Sequence, residues 1–163
     1  MDGGAISAAQ GPLFLVSNTR GIIHLKGVKA SAASGSLVNA AASRWGRTGS
    51  NGGHVELTGE NQVLEGDVAV DKFSSASVAL KDHSVLIGAV QSAALALDRT
   101  SEWKVTADSV VTSLTDKDCL SGDTITNVHG NGHTVRYKAD QTANRCLGGK
   151  TWKLAEGGTL LPE

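Results

Sequence analysis

The sequence predicts an all-β chain wound as a parallel β-solenoid, a stack of short strand-and-turn rungs. Three observations carry that prediction. Apolar residues recur with a period of two nearly from end to end. The alternating runs are short and separated by glycine- and asparagine-bearing turns. The same apolar pairs also reappear at steps of about one rung.

In chain order, Leu13-Phe14-Leu15-Val16 and Ile22-Ile23-His24-Leu25 read as the first strands. Val55-Glu56-Leu57, Val68-Ala69-Val70, Val78-Ala79-Leu80, Leu95-Ala96-Leu97 and Trp103-Lys104-Val105 alternate cleanly, because successive strand side chains point to opposite faces. Thr134-Val135-Arg136-Tyr137 and Thr151-Trp152-Lys153-Leu154 close the series. Between them lie turn signals such as Asn51-Gly52-Gly53, Gly66-Asp67, Lys81-Asp82-His83 and Gly130-Asn131-Gly132. No segment combines caps with a sustained helical period. Ala30 to Ala42, rich in small residues, comes closest and reads as one short helix or a loop.

Val55-x-Leu57 recurs as Val78-x-Leu80 and again as Leu95-x-Leu97, which sets a rung of about 17–23 residues. Leu64-Glu65-Gly66-Asp67-Val68 resembles Leu86-Ile87-Gly88-Ala89-Val90, one such step further on. Ser84 and Ser101 hold matching places, each shortly after the second member of an apolar pair. A rung of that length has room for three short strands and three corners. One rung cannot bury its own inward side chains, but stacked rungs cover one another. A hairpin-built sandwich would want tight Asn-Gly or Asp-Gly turns every 8–12 residues. Beyond the first strand only Asn51-Gly52 and Asn131-Gly132 supply them.

The chain has 163 residues, enough for one domain with a sizeable core. Residues 1–163 read as a single domain, with 1–12 as an N-terminal cap or lead-in and 145–163 as a closing rung or cap. With 15 basic and 16 acidic residues, the net charge of -1 gives no footprint for nucleic acid or for an acidic membrane. No apolar run approaches the ~20 residues of a membrane span. Met1-Asp2-Gly3-Gly4 lacks the basic start and apolar core of an export signal, which leaves a piece of a larger secreted protein or a cytosolic chain; the first is favoured because the sequence enters its first rung almost at once.

No catalytic, cofactor or metal set stands out. Glu65, Asp67, Asp71, Asp82 and Asp98 invite a lyase or glycosidase reading, and Asp67 and Asp71 could share a face of neighbouring rungs. Solvated turn carboxylates are the simpler reading. His24, His54, His83, His129 and His133 form no metal-binding pair pattern. Cys119 and Cys146 are either a disulfide, which would add roughly 3–4 kcal/mol on the chain-entropy model, or two unrelated thiols. With His129 and His133 between them they match no zinc-finger spacing. Trp103 reads as an inward corner filler. Trp45, in a glycine-rich loop, is the better candidate for an exposed ligand contact, with Asp67 and Asp71 as weaker ones.

Ser101-Glu102-Trp103-Lys104-Val105-Thr106-Ala107-Asp108-Ser109, continuing to Leu114, resembles a signature near the C-terminal end of β-helical bacterial surface proteins of the autotransporter-passenger-like and adhesin-like kinds. Gly11-Pro12-Leu13-Phe14-Leu15-Val16-Ser17-Asn18-Thr19, Arg44-Trp45-Gly46-Arg47-Thr48-Gly49-Ser50-Asn51-Gly52-Gly53 and Leu147-Gly148-Gly149-Lys150-Thr151-Trp152-Lys153-Leu154 are similar to other parts of that architecture. The resemblance spans about Gly11 to Pro162 and implies a single-stranded right-handed parallel β-helix near its closing end. The handedness rests on it alone, and the cysteines lie outside its pattern. It implies a non-catalytic extracellular or cell-surface structural or adhesive module, self-associating through its solenoid ends or meeting a surface glycan or host-cell partner. The competing expectations are a carbohydrate-active enzyme, a polysaccharide lyase or glycoside hydrolase, and a glycan-binding module without turnover.

Overall fold

Alternation leaves every short segment with one apolar side and two hydrogen-bonding edges, and the chain satisfies both by laying successive passes next to one another in parallel. The computed structural model describes residues 1–116 and 120–163. It is all-β, with one short 3₁₀ turn, Thr142–Leu147. The chain lays down β1 (Ala5–Ala8), β2 (Phe14–Val16), β3 (Thr19–Lys26), β4 (Lys29–Ala32), β5 (Ser36–Ala40) and β6 (Gly53–Glu60). β7 (Val63–Glu65), β8 (Asp67–Val70), β9 (Ser75–Lys81), β10 (Val85–Ile87), β11 (Val90–Leu97) and β12 (Glu102–Lys104) follow. β13 (Ser109–Thr115), β14 (Leu120–Ser121), β15 (Thr124–His129), β16 (Thr134–Tyr137), β17 (Trp152–Ala155) and β18 (Thr159–Pro162) complete it.

Sixteen strands share one sheet, and β1 pairs β4 in a second. The pairings are parallel except β14–β15 and β17–β18. They run as three ladders. The first takes β3, β6, β9 and the distal halves of β11 and β13. The second takes β7, β10, β12, β15 and β17. The third takes β2, β5, β8, the proximal halves of β11 and β13, then β16 and β18.

Inward residues therefore stack by type. Leu57, Val78, Leu95 and Leu114 form one buried column. Leu64, Leu86, Trp103 and Val128 form another. Val38, Val68 and Val90 form a third. The matched pentapeptides at Leu64 and Leu86 lie in register as the sequence indicates. Val55 does not: it pairs with Ala76, and Val78 sits beside Leu57, so the first step is shorter than the spacing of the repeated pairs. Elsewhere the passes outgrow the rung length that the repeats predict. Arg20 pairs His54, because residues 41–52 are inserted between β5 and β6. Trp103 pairs Val128, again a longer step than any the repeats suggest. Corner insertions lengthen a pass without disturbing the strands that stack. Ala30 to Ala42 is neither helix nor loop, because it supplies β4 and β5.

Polar side chains tie the passes together inside the corner between the first and second ladders. Gln62, 2% exposed, accepts from Val28 N–H at 2.8 Å and donates to Val28 C=O at 2.7 Å. Its own N–H donates to Ser84 Oγ at 3.1 Å, and Ser84 N–H donates to Ser101 Oγ at 3.1 Å. Asn127 Nδ2 donates to Ser101 C=O at 3.0 Å and to Asp116 Oδ1 at 3.0 Å. The matching places of Ser84 and Ser101 in the sequence are two steps of this ladder. Gly88 marks a close approach of backbones: a Cβ there would lie 2.2 Å from Gly66 O.

The two ends differ. Each edge of β17 and of β18 is engaged, by each other and by β15 and β16. The end of β13 is closed by a side chain: Asn144 Oδ1 accepts from Leu114 N–H at 2.9 Å, and its Nδ2 donates to Thr112 and Lys138 C=O. Tyr137 Oη and Trp152 Nε1 fasten that segment to Lys150 and Leu147 C=O. At the other end β1 and β2 each have one partner strand among the described residues. There the apolar residues Ile6, Leu13, Phe14 and Ile23 are only partly buried.

Candidate functional site

The acidic residues singled out from the sequence are dispersed, and the oxygens of Asp67, Asp71 and Asp98 hold the chain's own backbone. Asp67 Oδ1 accepts from Ala89 N–H at 2.8 Å, on the following pass. Asp71 Oδ2 accepts from Ala42 N–H at 2.7 Å, on the preceding one, and its Oδ1 from Phe73 N–H at 3.0 Å. Asp67 opens β8 and Asp71 follows it on the same pass, not on neighbouring rungs, and the two bond to passes on opposite sides. Ser74 and the Ala42 N–H, by hydrogen bonding to the charged form, hold the Asp71 carboxyl below the usual range against a smaller effect of burial. Asp98 Oδ2 accepts from Asp82 N–H and Oδ1 from Thr100 N–H. Burial pushes the Asp98 carboxyl up, but the bonds from Asp82, Ser101 and Thr100 outweigh it and leave its pKa lowered.

Three of the five histidines lie beside carboxylates. His24 lies 3.3 Å from Glu60, and His133 3.7 Å from Asp108. His129 lies between Glu102 at 3.6 Å and Glu156 at 3.2 Å. Among the described residues, no group of three or more His, Cys, Asp or Glu side chains is arranged to hold a metal ion. Cys146 is exposed on the 3₁₀ turn. Cys119 lies outside the described residues, and so does its pairing with Cys146.

Trp103 and Trp152 are buried, whereas Trp45 is 68% exposed. Trp45 stands on the inserted loop, residues 41–52, and the loop is firmly built. Asn51 is buried and its Nδ2 donates to Ser43 C=O and, at 3.1 Å, to Trp45 C=O. Asn51 C=O accepts from Asn18 N–H at 3.1 Å. Ser50 N–H closes a turn on Arg47 C=O at 2.9 Å. The returning arm passes through Gly52 and Gly53, where a Cβ would lie 1.8 Å from Phe73 O and 2.0 Å from Val16 O. Only glycine fits between those backbones.

The loop is joined to the β8–β9 corner at both feet, by Asp71 to Ala42 N–H and by Ser74 Oγ to Gly53 N–H at 2.9 Å. That corner presents Lys72 and the partly exposed Phe73, with Lys72 Nζ 4.8 Å from the ring centroid. On the loop, the Arg44 guanidinium lies 5.3 Å from the Trp45 ring centroid. The structure thus connects Trp45 with Asp71, which acts as a foot of the loop, and leaves Asp67 apart. Sequence reading missed Arg44, Arg47, Lys72 and Phe73. Lys72-Phe73 lies a full pass beyond Trp45 in the chain, and it is the bonds at the feet of the loop that join its corner to the loop. A shallow hollow begins beside the feet of the loop and is lined by His54, Ser75, Ser77, Ser92 and Thr112.

No family model, curated protein or solved structure matches this chain.

Proposed function

We propose that the three ladders are the faces of a right-handed parallel β-solenoid, and that the chain is a non-catalytic structural or adhesive module of a bacterial surface or secreted protein. The observation that carries this reading is the use made of its polar side chains. Gln62, Asp67, Asp71, Ser84, Asp98, Ser109 and Asn144 each bond to a backbone group of a neighbouring pass. A side chain committed to holding strands is a poor acid, base or ligand for a reacting atom. Self-association through the ends belongs to the same reading, and the open N-terminal edges are the end that suits it.

The test is a depolymerisation assay on polygalacturonate, alginate and neutral polysaccharides, following unsaturated products and reducing ends. No turnover is expected. Turnover abolished by Asp67→Asn or Asp71→Asn, in variants that keep the parental melting temperature, would replace this reading with a carbohydrate-active enzyme.

A further inference from the structure

We propose that the loop carrying Trp45, together with the Lys72–Phe73 corner, is a binding site for an acidic polysaccharide, one bearing carboxylate or sulfate groups. The inference deepens the surface-module reading and rests on it for the absence of turnover.

The first argument is the cost of exposing Trp45. Indole is large and apolar, and the other two tryptophans of this chain are at most 4% exposed. Trp45 is held out in solvent by a loop fixed through Asn51, Asn18, Asp71 and Ser74, rather than left there by a loose segment. A rigidly presented aromatic loses little conformational freedom on binding. Arg44 lies against the ring and a flat apolar partner can stack on it, as the CH faces of a sugar ring do.

The second argument is charge. The chain as a whole carries -1, yet the loop of Trp45 carries Arg44 and Arg47, and the corner bound to its feet carries Lys72 against Phe73. Of the nearby carboxylates, Asp71 already accepts from Ala42 and Phe73 N–H, and Glu56, on the hollow, is paired with Arg20. Three cations beside two engaged carboxylates make a locally positive surface suited to an anion. Arg44 and Arg47 can grip a carboxylate or sulfate through two parallel hydrogen bonds.

The third argument is shape. The hollow that starts at His54, beside the foot of the loop, is walled by Ser75, Ser77, Ser92 and Thr112 together with the Arg20-paired Glu56. His54 Nδ1 and Ser75 Oγ are 2.9 Å apart at its head. An open trough with hydroxyls on its walls offers partners to sugar hydroxyls along a chain. It offers little enclosure to a monosaccharide. Nucleic acid would call for a longer basic stripe. A bilayer would call for a wider apolar patch beside the indole.

The experiment measures binding of the whole chain to polygalacturonate, heparin, neutral dextran and phosphatidylserine vesicles, by gel-affinity electrophoresis and by tryptophan fluorescence. Because Trp103 and Trp152 are buried, loss of iodide quenching on binding reports on Trp45. The expected result is binding to polygalacturonate or heparin but not to dextran or vesicles. It should weaken as salt is raised and fall about tenfold in each of Trp45→Ala and Arg47→Ala. Arg145→Ala, on the 3₁₀ turn, should bind as the parent does. Exposed Trp45 and Arg47 contribute little to folding, and unchanged melting temperatures confirm that both variants are intact. Equal binding by Trp45→Ala and the parent, equal affinity for dextran, binding to vesicles alone, or no binding at all would overturn the proposal. None of these outcomes bears on the turnover assay that tests the surface-module reading.

Discussion

Replacing Gln62 by alanine removes the polar clamp between two passes, and its cost can be worked from the bonds it makes. Gln62 Oε1 accepts from Val28 N–H, and its Nε2 donates to Val28 and Val63 C=O. Val63 is exposed, so its carbonyl can turn to water. Val28 is 5% exposed, and both of its backbone groups would be stranded. A buried group left without a partner costs about 1–3 kcal/mol, so two of them give about 4 kcal/mol. Ser84→Ala strands only one group, Gln62 N–H, and should cost about 2 kcal/mol. Urea unfolding followed by far-UV circular dichroism measures both. The midpoint should fall in that order with an unchanged slope. A loss below about 1 kcal/mol for Gln62→Ala would mean that water reaches Val28. The buried polar ladder would then have no part in fastening the passes.

Three further outcomes follow from the same reasoning. Trp103→Ala should destabilise by about 3–5 kcal/mol, since the side chain is fully buried and its Nε1 donates to Gly88 C=O at 2.9 Å; chemical denaturation checks it, and a cost near about 1 kcal/mol would place Trp103 outside the core. Gly88→Ala should cost about 3 kcal/mol or prevent folding, because its Cβ would press on Gly66 O, whereas Gly11→Ala, strained by a φ of 70° but facing open space, should cost about 1 kcal/mol. The Asp98 carboxyl is lowered in the folded chain, so its contribution is fully present above the unfolded value of about 3.9 and is lost as pH falls through the folded value. Asp98→Asn should therefore lower stability at neutral pH by about 1 kcal/mol and flatten the acid limb of a melting-temperature profile, and parallel profiles for parent and variant would contradict that role.

Much of the strand content and part of the register were legible because both depend on local pattern. Alternation marks Val55 to Leu57 and Val78 to Leu80, and the likeness between Leu64–Val68 and Leu86–Val90 fixes a true pairing. The register of Val55 was not legible. Ala76 occupies its place in the column, and a small residue at an inward position weakens the pattern that marks the strand. The strands β4 and β5 were hidden for the same reason, since Lys29-Ala30-Ser31-Ala32 has too little apolar contrast to declare a period. The candidate site was half legible. An isolated tryptophan in a glycine-rich loop signals exposure, whereas the cations and phenylalanine around it come from a corner that only the third dimension brings near.

The closed C-terminal end and the open N-terminal end together constrain any assembly built from this chain. A filament of head-to-tail copies needs a free edge at each end. At the C-terminal end β17 and β18 bond to each other and to the strands before them, while Asn144 supplies β13 with the carboxamide groups that a further strand would otherwise provide. A neighbouring copy would have to break those bonds before its own could form. At the N-terminal end Met1 and Gly3 engage only the last residues of β3, through His24 and Lys26. The stretch from Thr19 to Ile23 keeps one edge without a partner strand among the described residues. Ile6, Phe14 and Ile23 lie half-covered beside it. Among the described residues the free strand edge therefore lies at the N-terminal end and not at the C-terminal one. Any strand-adding contact between copies would have to use the β3 edge, and two copies meeting there about a two-fold axis would leave no free edge between them.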